Sequence, residues 1–209
     1  MPGMQSVGAL SLLAALLAAP SAANPLLQGQ SLASALQGGG YVILMRHASS
    51  PPNPPPAAEL DPGNTQRERQ LDAAGRASAE AMGTAIHRLS IPIGRVLCSP
   101  TYRALQTVRL AQLGQAQIRE QLGDAGHSMQ ADSSGARGQW LRTQVAEDPP
   151  PGTNTVIVTH SPNIMEAFPA DSAGLQDGEA LVFRPDGHGG EQLIARVRIE
   201  AWPALAVTP

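Results

Sequence analysis

Two aliphatic runs in this chain end on groups that seek water or an anion. YVILM at 41–45 stops at Arg46 and His47, and TVIVT at 155–159 stops at His160. Between them, GRVLCSP leads through Thr101 and Tyr102 to Arg103. Two guanidiniums, always protonated and shaped to match phosphate oxygens, make an anion pocket. A neutral imidazole held in such a pocket can attack phosphorus and form a phosphohistidine that water later hydrolyses. A second imidazole, once protonated, adds positive charge where negative charge builds on the transferring group. No Asp or Glu stands at zinc-ligand spacing from either histidine, so the pattern favours metal-free chemistry with no cofactor. A cysteine-dependent phosphatase is rejected, because only four residues separate Cys98 from Arg103, one too few for its loop.

These groups converge only if their strands lie side by side. The continuous apolar run at 41–45 fits a strand covered on both faces. Residues 50–64 carry six prolines and form an exposed loop. This loop leaves the first strand at His47, which places it as a lid. The spacing of Ala, Met and Ile predicts a helix over 72–89. A strand follows at 94–98, then a helix over 102–113 entered through Ser99, Pro100 and Thr101, with Thr101 as its cap. A further helix is expected over 135–147 and a strand over 153–159. EALVFRP and QLIARVRI form two more strands around the turn DGHGG. Strands alternating with helices predict an α/β fold, a three-layer open and mostly parallel sheet with helices on both faces. Ligands bind such sheets beyond the carboxyl ends of the strands, so three strand ends would bring two His and two Arg around one crevice.

LMRHASS, CSPTYRALQT and VIVTHSPN, in that order and within roughly residues 40–200, resemble the histidine phosphatase superfamily and its phosphoglycerate mutase-like fold. The resemblance implies a metal-independent phosphatase acting on a phosphomonoester or phosphoramidate through a phosphohistidine on His47. It implies that Arg46, Arg103 and His160 bind the phosphate, with Asn64, Thr65 and Arg67 as candidates for the pocket rim. A mutase is disfavoured, because no extra basic cluster could hold a second phosphate. The family's RHG reads RHA here, and the Ala48 methyl is expected to crowd the backbone near the phosphate. Alkyl esters need a proton donor for the leaving oxygen, and the available carboxylates are Glu120, taken as the candidate acid, and Asp124. Without an acid, only good leaving groups such as phosphohistidine or aryl phosphates would be cleaved. Ala48 and the missing acid motif also motivate an alternative, a degenerate module that binds a phosphorylated ligand without turnover.

The remaining chain bounds partners and location. All 14 basic residues are Arg, scattered along 209 residues with a net charge of -3. That argues against the basic stripe of a nucleic-acid or polybasic membrane surface, and the resemblance implies a small phosphorylated substrate or phosphohistidine as partner. Residues 8–19 are almost entirely Ala and Leu, too short to span a bilayer, and PSAAN follows. This reads as a signal peptide over 1–23, leaving one domain over 24–209 that is periplasmic or secreted, without stable membrane insertion. The hairpin sequence resembles that of exported bacterial members of the superfamily. Cys98, the lone cysteine, is expected as a small buried hydrophobe. His87 should sit at a helix end, His127 and His188 in exposed turns, and Trp140 and Trp202 as packing anchors.

Overall fold

Alternation along the strands builds the two cores. The computed structural model describes residues 25–124 and 135–205. In strand β1 (Val42–Arg46), Ile43 and Met45 face one side, while Val42 and Leu44 face the other. The same division recurs in β2 (Ile93–Cys98), β4 (Asn154–Thr159) and β5 (Ala180–Pro185). With β3 (Ala116–Ile118) and β6 (Glu191–Val197) they form one six-stranded sheet in the order β3-β2-β4-β1-β5-β6. The first four of these are mutually parallel, and β5 and β6 add an antiparallel edge next to β1.

Helices α1 (Gly29–Gln37), α2 (Ala73–Arg88) and α3 (Tyr102–Leu110) and the short α6 (Trp202–Leu205) cover one face. Helices α4 (Ala136–Ala146) and α5 (Ser161–Ala167) cover the other. The expected three-layer, mostly parallel architecture is therefore present. Cys98 is fully buried in the first core, where burial pushes its thiol up to about 12. Trp202 is fully buried there too, and Trp140 packs against the second core.

Several elements lie outside the expectations from sequence. α1 buries only Leu32, Ala33 and Leu36, too few apolar positions to announce a helix. β3 is three residues long and leaves Ile118 exposed, so no alternation could mark it. α5 spans seven residues with Pro162 in its first turn. α3 ends at Leu110, because Gln112 turns into the left-handed region at φ 50°. Thr101 does not cap α3 with its side chain. The Tyr102 N–H donates instead to the Glu68 carboxylate at 3.1 Å.

The start of α2 is clamped to the chain just beyond His47. Asp72 caps the helix by accepting from the Gly75 N–H at 2.7 Å, and its other oxygen accepts from the Ser49 hydroxyl at 2.7 Å. The Asp72 N–H donates to the Ser49 carbonyl at 3.2 Å. Gly75 lies so close that a β-carbon there would stand 2.1 Å from that same carbonyl oxygen.

The proline-rich loop is fastened as well. The Asp61 carboxylate accepts from Arg76 at 2.8 and 3.0 Å, from Gln106 at 2.6 Å and from the Tyr102 hydroxyl at 3.2 Å. The segment expected to serve as a lid is thus tied to both α2 and α3. Gly75→Ala should cost about 1–3 kcal/mol in urea unfolding, since backbone must move to admit the methyl. Gly63→Ala should stay within about 0.5 kcal/mol, because its methyl would meet only the Tyr102 side chain at 3.5 Å.

Candidate active site

Three strand ends meet at one buried guanidinium. His47 follows β1, where its N–H donates to the Thr159 carbonyl at 3.0 Å and its carbonyl accepts from the Gly178 N–H at 2.9 Å. His160 follows β4, with its ring edge-on to His47 at 5.2 Å between centroids. Arg103, in the first turn of α3, donates from Nε to His47 Nε2 at 3.1 Å and from an Nη to His160 Nδ1 at 3.2 Å. The same Nη forms an ion pair with Asp124. His47, Arg103 and His160 are each at most 3% exposed.

The partners decide both imidazole tautomers. His47 Nδ1 lies 2.7 Å from the Ala48 carbonyl, which can only accept, so Nδ1 carries the proton and Nε2 keeps its lone pair. His160 Nδ1 faces a guanidinium, which can only donate, so its proton sits on Nε2 beside the Ser99 hydroxyl at 2.8 Å. Burial holds His47 down to about 3, helped by the charges of Arg103, Arg46 and Arg69 and opposed by the bond to Ala48. Burial, then Arg103 and the neighbouring His47, hold His160 down to about 2. The second imidazole, expected to bring positive charge, is therefore neutral.

Other residues expected here are placed differently. Arg46 turns toward Asp177 at 2.5 Å and the Leu175 carbonyl at 3.4 Å, and stays partly exposed. Its charge nonetheless reaches both imidazoles. Asn64 braces its own loop. Its amide donates to the Glu68 carbonyl at 2.8 Å and its oxygen accepts the Glu68 N–H at 2.9 Å, which closes the loop on itself. Thr65 and Arg67 are exposed, and Arg67 adopts φ 53° as the chain turns outward.

The arginine whose charge reaches the cluster from this loop is Arg69, held by the carbonyls of Pro51 at 2.6 Å and Ser50 at 3.0 Å. Its place three residues before the Asp72 cap was the one available signal, and nothing in the spacing separates it from Arg67. Among the described residues, no three His, Cys, Asp or Glu side chains gather as metal ligands would.

Glu120 stands apart from the cluster. It is exposed on a short 3-10 turn (Glu120–Leu122), and the carboxylate brought to the cluster is Asp124. The delivery is specific. The Leu122 carbonyl accepts from the Thr159 hydroxyl at 2.8 Å, and the Gly123 carbonyl accepts from the Asn163 amide at 3.0 Å. Ala48 is also resolved. Its side chain is fully buried in the core on the α2 and α3 side, and its N–H donates to the Thr107 hydroxyl at 3.1 Å.

The sequence matches the profile described as "Histidine phosphatase superfamily (branch 1)" over residues 42–153, more than half of the chain. The chain belongs to the histidine phosphatase superfamily. No curated protein matches the sequence. Among solved structures, it is similar to the protein histidine phosphatase SixA complexed with tungstate, at 18% identity and a TM-score of 0.53, covering 76% of this chain and 97% of that one. It is also similar to a putative alpha-ribazole-5'-P phosphatase from Escherichia coli, at 18% identity and a TM-score of 0.52 over 76% and 97% of the two chains. A phosphoserine phosphatase mutant from Entamoeba histolytica with bound phosphoserine matches at 16% identity and a TM-score of 0.52, over 77% and 98%. At such identities the likeness speaks for the fold.

In this histidine phosphatase fold the two neutral imidazoles link stability to pH. Unfolded, they protonate below the ordinary 6.5, whereas folded they do so only near 3 and 2. Within that window the unfolded state binds more protons, so stability rises with pH and is lost as pH falls below 6.5. By pH 5 the loss should reach about 2 kcal/mol per histidine at most. Urea midpoints measured from pH 7.5 to 5 should follow this slope, and His47→Gln with His160→Gln should flatten it.

Proposed function

We propose that this protein is a metal-independent phosphatase that hydrolyses a small phosphomonoester or phosphoramidate through a phosphohistidine on His47. One observation carries the reading: the Ala48 carbonyl fixes the Nδ1 proton of His47 and leaves a bare Nε2 against Arg103, within a site that keeps the ring neutral. The Nε2–phosphorus bond forms as the bond to the leaving group breaks, and water then releases phosphate and restores the imidazole. Arg103 binds two phosphoryl oxygens, with the charges of Arg69 and Arg46 behind it and His160 on the flank. Superfamily membership supports this chemistry, and the names of the similar structures agree with phosphorylated small molecules or phosphohistidine as the substrate class.

Asp124 rather than Glu120 is assigned to the site, as the group that orients Arg103 through their ion pair. A second reading, a phosphate-binding module without turnover, draws on that same contact, because Asp124 already occupies Arg103 and the imidazoles are sealed from solvent. We also propose export, from the apolar segment at 8–19 followed by PSAAN. Residues 1–23 and His127 lie outside the described residues. Among those described, no helix is long and apolar enough to cross a membrane.

Hydrolysis of p-nitrophenyl phosphate under excess chelator tests the mechanism. Wild type should turn over, His47→Ala should fall by about a thousandfold or more, and Glu120→Gln should match wild type, while Asp124→Asn should change kcat/KM. Binding of vanadate by folded wild type with no turnover would instead select the module. Export predicts that protein recovered from outside the cytoplasm begins at Asn24, which mass spectrometry reads directly.

A further inference from the structure

His160 is held at both ring nitrogens. Ser99, fully buried just past the end of β2, places its hydroxyl 2.8 Å from His160 Nε2. That oxygen also accepts the Thr101 N–H at 3.3 Å and donates its own proton to the Thr101 hydroxyl at 3.2 Å. The Thr101 hydroxyl lies 3.3 Å from the same Nε2. Arg103 supplies a donor at Nδ1, so the ring proton sits on Nε2, where the Ser99 oxygen accepts it at 2.8 Å. The ring edge turned toward Arg103 therefore presents a lone pair, as His47 does from the opposite side.

A fully ionised phosphoryl group entering here would set oxygen lone pairs against Nδ1. A group that keeps one proton would instead donate it. We infer that Ser99, seconded by Thr101, is a positioning residue that together with Arg103 holds His160 with an unprotonated Nδ1, and that the site consequently takes a phosphoryl group carrying one proton, shared between a phosphoryl oxygen and Nδ1 once Arg103 turns to the phosphoryl oxygens. This rests on the phosphatase reading and deepens it. The charged and titratable groups acting on His160 are Arg103 from α3, His47 and Arg46 from the end of β1, and Arg69 from the loop before α2, with Asp124 across Arg103. Burial and these cations hold the ring neutral, so the proton arrives with the substrate.

The balance closes. As His47 Nε2 bonds to phosphorus and the leaving group departs, the shared proton passes from His160 Nδ1 to the leaving atom, and both the alcohol or amine and His160 end neutral. When water attacks, one of its protons goes to His160 Nδ1 as the phosphorus–nitrogen bond breaks toward His47, and that proton then passes to the phosphate, which leaves as the monoanion. No separate carboxylic acid is required.

Inorganic phosphate is the probe, titrated calorimetrically from pH 6 to 8.5 in buffers of different ionisation heat. Wild type should take up one proton per dianion bound, so affinity should fall by about tenfold per pH unit once phosphate has lost its second proton. Ser99→Ala, checked by its melting temperature, should let the ring adopt the Nδ1–H tautomer and lose at least half of that slope, with Thr101→Val shifting the same way to a smaller extent. Nitrogen-15 spectra of labelled histidine in wild type should give the Nε2–H tautomer for His160, which decides the matter even if Ser99→Ala does not fold. An Nδ1–H signal, or phosphate affinity that is constant or rises with pH, would overturn the inference and leave the phosphatase reading standing. Folded wild type that binds no phosphate at all would overturn both.

Discussion

A buried arginine governs this molecule. Arg103 is almost fully enclosed, and a guanidinium taken out of water is tolerable only when its donors are met. Two imidazole nitrogens and one carboxylate meet Nε and one Nη, from the ends of β1 and β4 and from the turn after β3. Each partner reaches Arg103 only if its strand holds its register. The Thr159 carbonyl receiving the His47 N–H and the Val158 carbonyl receiving the Ser99 N–H fix the two flanking strand ends. One geometry thus pairs the buried cation and gathers both histidines around it.

The same enclosure sets the protonation states. A single arginine would leave an exposed histidine little changed, but burial and several nearby cations act in the same direction here, and both rings stay neutral. A neutral imidazole keeps one lone pair, and the hydrogen bond to Ala48 determines which nitrogen of His47 holds it. The alanine that replaces the family's glycine turns its methyl into the core and leaves its carbonyl to orient the ring.

Rigidity around the site comes from short polar clamps rather than from large side chains. The Asp72 cap joins α2 to Ser49, the Asp61 carboxylate ties the proline-rich loop to α2 and α3, and Thr159 with Asn163 fixes the carbonyls that precede Asp124. Aromatic residues make up only 3% of the chain, so close backbone approach at Gly75 and Gly83 replaces the bulk that rings would supply.

Local pattern alone was enough for the strands β1, β2 and β4, the helices α2, α3 and α4, the hairpin, and the pairing of His47, Arg103 and His160, because alternation and strand-end position are carried by neighbouring residues. α1, β3 and α5 were not legible, being too short or too sparsely apolar for periodicity to register. Tertiary structure decided the choices between near neighbours: Asp124 over Glu120, Arg69 over Arg67, Asn64 as a loop brace, and Arg46 turned to Asp177. Each depends on contacts between segments far apart in the chain, such as Asn163 holding Gly123 or Pro51 receiving Arg69. Residue type and spacing state what a side chain can do, but which of two similar side chains turns inward is settled by the partner waiting there.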